Sequence, residues 1–531
     1  MATTTSLRTR RSEAQLHALA GVEREIRVAD PTSRRKYLRD FRDAFRTYES
    51  VITFEDVRRT AAAADIVLIG DYHALPVCQR YAASLLEERA HPGDRPVVLG
   101  VETIFSRDQH ILNEWWRREI DEAELRQRIR FDLDWGYDWA PFHGLLVTAR
   151  EHAEAIYGLD CMPREDLRKI SARDRHAVHK IAEIRQRHPN AVILVLFGES
   201  HLAPGHLPRL LRESMPSERT VTVLQNVDDL YWQAAGERQE RVEAVRVSED
   251  VISVFNSTPL EKYENYRLHL SRWGRTEEEG PDLTPTIYNL IDSLLRFLNI
   301  RLYASQNGTQ PKFLVDLLPE VFCGVSEARL RRLLTLETSM PEEQESLLRK
   351  IEELGSAYLP RTNAFYVREF QMAHAAEEAS RFLHNACRRL PALNLANKSV
   401  ELADRFYGRV LEHTLAYLGS RVLYPARSAE PLSELSRSAL DEAMRAAVRD
   451  ASDFEEKTRQ CGYAIGSGLY DKYLAGAITR NQLRHLFLTQ LDAPGRARKL
   501  CLELIRNRRA ARKGPQPDHG LRMRDPRSST A

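Results

Sequence analysis

The chain is poor in cysteine. Its six cysteines, Cys78, Cys161, Cys323, Cys387, Cys461 and Cys501, are scattered over 531 residues with no CxxC pair. That spacing excludes a disulfide framework and a zinc ribbon and points to a reducing compartment. No uninterrupted run of about 18 apolar residues occurs, so no transmembrane segment is expected. No apolar stretch follows the polar, basic start Met1 to Arg11, so neither a secretory leader nor a lipid-anchoring cysteine is predicted, and the expected location is cytoplasmic. Charge of one sign is also lacking. A formal net charge of +2 argues against general polyanion binding, and no specific nucleic-acid partner is expected. HExxH, GxSxG and the Walker Gly-Lys-Thr/Ser are absent, which removes the motifs of zincins, α/β-hydrolases and P-loop proteins.

What is present fits a globular chain of two or more domains, with 43% hydrophobic and 29% charged residues. Short β-branched apolar runs at 65–70, 96–101, 155–159, 191–197 and 220–224 read as buried strands. Helical stretches at 75–90, 106–129, 141–152, 164–188 and 206–214 separate them, the βαβα signature of a parallel sheet covered on both faces. Val242 to Val254 reads as an antiparallel hairpin at its edge. After about residue 275 the strands stop and helical spacing takes over, as in Leu402, Phe406, Val410, Leu411, Leu415, Leu418 and Val422. Further helices are expected near 285–305, 311–319, 326–336, 341–354, 362–388, 435–451, 453–475, 479–490 and 494–509. The expected fold class is therefore α/β, with a mostly parallel sheet, followed by a separate all-α helical domain. The expected divisions are a tail and helical arm (1–50, the first dozen residues unstructured), an α/β domain (51–270), a helical domain (271–505) and a basic disordered tail (506–531).

Two strand ends carry the same pattern, a glycine, an acid, any residue and a histidine: Gly70-Asp71-Tyr72-His73 and Gly198-Glu199-Ser200-His201. In a doubly wound sheet the loops past the carboxyl ends share one edge, where ligands bind. Glu102 follows the second strand and Asp160 the third, on the same edge. The set His73, Glu102 and His201 has the chemistry to hold a divalent metal ion and activate water. Without a metal it would do acid–base work, with Asp71 and Glu199 orienting the imidazoles.

Other groups read more simply. His176 and His179 lie on a charged helix face, and His206 starts the next helix. Trp135-Gly136-Tyr137-Asp138-Trp139 reads as packing under a loop or as the wall of a pocket for a flat ligand. Gly462, Gly466 and Gly468 read as close helix packing, since no strand precedes them. His374, Glu377, Glu378 and His384 share one helix, and no second helix is evident to complete a metal site.

From about 60 to 260 the chain resembles the ChaN-like haem-binding proteins of the Tiki superfamily, which also includes Tiki-type metalloproteases and erythromycin esterases. The resemblance rests on Gly70-Asp71-Tyr72-His73, Glu102, Arg173-Asp174 opening a helix, and Gly198-Glu199-Ser200-His201 with Pro208-Arg209-Leu210-Leu211 beyond. The family's first motif carries Glu where this chain has Asp71. The resemblance implies haem or metal binding, with His73, His201, Tyr72 and Tyr137 as possible haem ligands. Its esterase and protease branches imply a metal-dependent hydrolase built on the same residues. A third expectation is a non-catalytic ligand-sensing module whose helical domain binds a partner protein.

Overall fold

Eight strands form the larger sheet: β1 (Ser50–Ile52), β2 (Ile66–Asp71), β3 (Val97–Phe105), β4 (Ala155–Asp160), β5 (Val192–Gly198), β6 (Thr220–Gln225), β7 (Ala244–Ser248) and β8 (Val251–Val254). Their order is β1-β7-β8-β6-β2-β5-β3-β4. The six strands from β8 to β4 pair in parallel, while β7 pairs antiparallel with β8 and with β1. The computed structural model describes residues 4–30, 36–89, 95–162, 170–237, 242–272, 281–301, 317–324, 326–388, 402–425, 427, 435–449, 454–491 and 493–506. The tail from 507 onward and most of the helix expected at 311–319 lie outside these residues.

The central strands are apolar along their whole length because both faces are buried. Ile66, Leu68, Ile193, Val195 and Phe197 meet Ala177 and Ile181 on one face. Val67, Ile69, Val192, Leu194 and Leu196 meet Leu85, Leu86 and Leu145 on the other. This period-two division of a continuous apolar run is the pattern of a parallel sheet between helical layers. The helix Phe54–Ala62 that leads into β2 starts at a capping box, in which Thr53 and Asp56 satisfy each other's backbone N–H groups.

The second half is largely helical, with long helices at Thr284–Phe297, Met372–Cys387, Leu402–Leu423 and Phe454–Leu474. It also holds a small sheet, β9 (Glu320–Cys323), β10 (Ser356–Leu359) and β11 (Ala364–Val367), in the order β10-β11-β9. The helix expected over 362–388 therefore starts only at Met372. Four-residue strands are too short to show a period against the helical spacing around them. Gly462 and Gly466 allow two helices to approach closely. A Cβ on Gly462 would lie 2.4 Å from the His413 Cβ, and one on Gly466 would lie 2.7 Å from the Thr414 carbonyl oxygen.

The first helix, Thr4–Ala29, includes the start that composition reads as unstructured. Ala14, Ala18, Val22 and Ile26 join the hydrophobic core of the helical half, beside Leu290 and Leu294. The N-terminal arm thus packs against both halves, on the helices Asp228–Glu237 and Pro259–Arg272 as well as on Thr284–Phe297. It also reaches the carboxyl edge of the large sheet, where Leu19, Glu23 and Ile26 line a cavity with Tyr72 and His73.

Candidate functional site

Strands β2, β5 and β3 are neighbours, so the residues at their carboxyl ends must meet. Asp71 stands in register with Gly198. β3 runs past the expected end at Val101 to Phe105, which puts Glu102 inside the strand rather than after it. The pairing with β4 slips between Val101 and Phe105, and Gly158 permits this, since a Cβ there would lie 2.7 Å from the Ile104 carbonyl oxygen.

Glu102 is the centre. The Nε2 atom of His73 lies 3.8 Å from its Oε2, and the Nε2 atom of His201 lies 3.8 Å from its Oε1. Each imidazole is oriented through its other nitrogen. Asp71 Oδ2 lies 2.8 Å from Nδ1 of His73, and Asp174 Oδ1 lies 2.5 Å from Nδ1 of His201. Carboxylates accept, so both Nδ1 atoms carry hydrogens and both Nε2 atoms face the same glutamate. Gln79 donates to the other oxygen of Asp71, and the Tyr37 hydroxyl donates to Asp174 at 2.9 Å. Glu102 is held by the Arg173 guanidinium at 2.6 Å and the Gly198 N–H at 2.6 Å. Arg173 also forks onto Asp160 at 2.8 and 2.9 Å. Gly198 has a specific role, since a Cβ there would stand 3.0 Å from Glu102 and 3.2 Å from His73 Nε2.

Burial divides the two imidazoles. The side chain of His73 is 21% exposed and that of His201 only 4%. Trp135 and Tyr137 flank His73, with ring centroids 4.4 and 5.2 Å away. Burial pushes the Glu102 carboxyl up, but His201, Arg173 and His73 and the Gly198 N–H outweigh it and hold the group down at about 2. Burial also pushes the Asp71 carboxyl up, against the pull of His73.

One expected role changes. Glu199 does not touch His201. It accepts from the Lys262 ammonium at 3.0 and 3.1 Å, and Asp174 takes its place as the orienting acid. Arg173 and Asp174 sit in the first turns of the helix Ile170–Arg187, where Arg173 reaches Glu102 on β3 and Asp174 reaches His201 in the turn after β5. Only the arginine–aspartate pair at a helix start pointed to them in the sequence. Tyr72 carries the Lys262 ammonium 4.6 Å over its ring, and Tyr137 stacks on His269 at 4.0 Å. His206 lies beside the site, stacked on Tyr37 at 3.8 Å and paired with Asp40 at 3.0 Å. His176 binds Ser106, and His179 is exposed beside Glu183.

The residues fit a resident divalent metal poorly. Glu102, the shared ligand of the expected set His73, Glu102 and His201, already accepts from a buried guanidinium, and a dication would stand close to that cation. Among the described residues, no group of three or more His, Cys, Asp or Glu side chains has a metal-holding disposition.

A cavity of about 430 Å³ opens beside His73 and is lined also by Tyr72, Glu199, Asp228, Lys262 and Tyr263. The helices Thr4–Ala29 and Lys36–Ala44 close it from above, through Glu23 on the first and Phe41 and Arg42 on the second. Among the described residues, no helix is long and apolar enough to cross a membrane.

Fold and site together define a doubly wound α/β unit with a carboxylate–imidazole centre at its ligand-binding edge. Residues 57–192 match the family model described as haem-binding uptake, Tiki superfamily, ChaN. The match includes Asp71, His73 and Glu102 and ends before His201. A solved structure described as cofacial heme binding to ChaN of Campylobacter jejuni is similar at 16% identity, with a TM-score of 0.26, over 38% of this chain and 91% of that one. No curated protein matches the chain.

Proposed function

We propose that the α/β unit binds a small organic molecule in the cavity beside His73 and performs acid–base chemistry on it, of the type that hydrolyses an ester or amide. The observation that carries this reading is the pair of imidazoles facing one glutamate, each with its Nδ1 committed to an aspartate. When an imidazole fixed in that way is neutral, its lone pair is on Nε2. His73 is the more exposed of the two and borders the cavity, so it is the base that meets a reactant. Water gives a proton to His73 Nε2 as its oxygen adds to the acyl carbon. The same proton passes to the departing alkoxide or amine when the acyl bond breaks. The negative charge of Glu102 favours the imidazolium that forms in between. Arg173, Asp174 and Gly198 are positioning groups that hold Glu102 and His201 in place.

A second reading takes haem as the ligand, the group named in the family description. The aromatic walls around His73 and the lone pair on its Nε2 favour it, and Tyr72 borders the same cavity. His201 is too enclosed to serve as an axial ligand on the same face. The two readings separate in one experiment on the full chain, a panel of 4-nitrophenyl esters beside a haem titration followed in the visible spectrum. The acid–base reading expects turnover that His73→Asn abolishes and no Soret shift that depends on His73. A His73-dependent or Tyr72-dependent Soret shift without turnover would overturn it in favour of haem.

A further inference from the structure

The orientation of His201 depends on a segment that precedes the residues matched by the family model, 57–192. This is the helix Lys36–Ala44. Tyr37, Asp40 and Phe41 are three and four apart and share one side of it. Phe41, with Phe45 just past the helix, is buried beside Leu68 of β2, Phe197 of β5 and Leu202 of the turn that follows β5. Arg39 and Asp43 are exposed on the other side. Burial of the two phenylalanines therefore turns Tyr37 and Asp40 toward the site.

Each contact from this side falls on a group that fixes His201. Asp174 is fully buried, so both of its oxygens need donors. Oδ1 takes the Nδ1–H of His201, and Oδ2 takes the Tyr37 hydroxyl at 2.9 Å. Burial and the Asp174 charge raise the Tyr37 hydroxyl above its ordinary 10, so it keeps its proton and donates. The Tyr37 ring meets the His201 ring edge-on at 5.7 Å and stacks on His206 at 3.8 Å. His206 in turn reaches Asp40 at 3.0 Å and the Ser200 carbonyl oxygen at 3.1 Å, one residue before His201. The helix thus holds both the acid that orients the imidazole and the turn that carries it. Leu38, Phe41 and Arg42 of the same helix border the cavity, while Tyr37 is committed to Asp174.

We propose that Tyr37 is a positioning residue of the α/β site, acting on His201 through Asp174, which makes the helix Lys36–Ala44 part of the site. The catalytic consequence rests on the acid–base reading; the orienting role does not. With Asp174 held from both sides, His201 keeps its Nε2 toward Glu102, the group whose charge favours the His73 imidazolium. Without the hydroxyl, a buried carboxylate oxygen loses its donor. Asp174 then turns or draws in water, and the imidazole loosens.

The test uses the full chain with Tyr37→Phe, which keeps the ring and its stacking and removes only the hydroxyl. Asp43→Asn, on the exposed side of the same helix beside Arg46, is the control. In protein carrying isotopically labelled histidine, the Nδ1–H resonance of His201 is identified by its loss in His201→Gln. That resonance is expected to move or to broaden by exchange with water in Tyr37→Phe and to stay in place in Asp43→Asn. On a 4-nitrophenyl ester, Tyr37→Phe is expected to lower kcat by about tenfold or more at unchanged KM. Tyr37→4-aminophenylalanine restores a donor and is expected to recover both readouts; it carries the test by itself where Tyr37→Phe does not fold. An unchanged resonance in Tyr37→Phe overturns the proposal, as does an undiminished kcat or a failure of the restored donor to recover the signal. A resonance that depends on Tyr37 in a chain without ester turnover would sink the acid–base reading and leave the orienting role standing. Turnover that depends on His73 and is indifferent to Tyr37 would do the reverse.

Discussion

Each half of the molecule buries a charged cluster, and these two are built differently. In the helical half, Arg381 is 2% exposed and is surrounded by Glu377, Glu378 and Glu412. Arg427 and Tyr463 close on Glu377, Lys350 on Glu378, and Arg409 on Glu412 and Glu455. Each acid there meets a cation. Arg381 occupies the space between the carboxylates where a bundle protein would place a metal ion. In the α/β half, one glutamate faces two imidazoles at 3.8 Å, and a cavity opens beside one of them. Both clusters shift the acidity of their members strongly. Burial and shifted acidity therefore do not distinguish a site from a structural network; a cavity beside the charged groups does.

This contrast predicts a graded series of effects. Arg381→Met leaves three glutamates around an empty centre, and it should destabilise the chain by about 3–5 kcal/mol, read as Tm. An effect below about 1 kcal/mol would mean that the network is not structural. Arg173→Met removes the cation between Glu102 and Asp160. It should cost somewhat less, about 2–4 kcal/mol, because His73 and His201 still face Glu102. Ester turnover should fall with it and shift along the pH axis, since the Glu102 carboxyl would move up. Gly462→Ala drives a methyl into His413 and should cost about 1–3 kcal/mol by chemical denaturation, with no effect on ligand binding.

Acid should open the halves in sequence. Burial, with Arg388 and Arg381 nearby, holds His384 down at about 3, and burial, with Arg381 and Arg409, holds His413 down at about 4, both from an ordinary 6.5. The unfolded chain takes up those protons first, so stability in the helical half is lost as pH falls below 6.5. Glu102, depressed from 4.5 to about 2, contributes stability above pH 4.5 that fades only as pH falls from there toward 2. Hydrogen exchange between pH 6.5 and 4.5 should therefore loosen Met372–Cys387 and Leu402–Leu423 before β2 and β5. Loosening of the strands first would reverse the assignment.

Much of the α/β half was legible because β2, β5 and β6 are continuous apolar runs with both faces buried, and such runs leave little choice of structure. The meeting of His73, Glu102 and His201 followed from strand ends sharing an edge. Asp174 escaped because it lies in a helix whose approach to β5 depends on tertiary packing. Glu199 was given its role because it precedes His201 by two, as Asp71 precedes His73. The two loops differ after the glycine, however. Past β5 the chain enters a 3-10 turn, Glu199–Leu202, and Glu199 meets Lys262 instead. β11 was hidden by the helical spacing on either side of it.

The smallest expected effect on stability and the largest on chemistry fall at one residue. In His73→Asn the side-chain amide still reaches Asp71, so the fold should change by less than about 1 kcal/mol, but Nε2 is gone. The measurement that bears most directly on the account is the rate at which this variant hydrolyses a 4-nitrophenyl ester turned over by the unaltered chain. A fall of about 100-fold or more at unchanged Tm is predicted. An undiminished rate would contradict the central claim that His73 is the base of the α/β site.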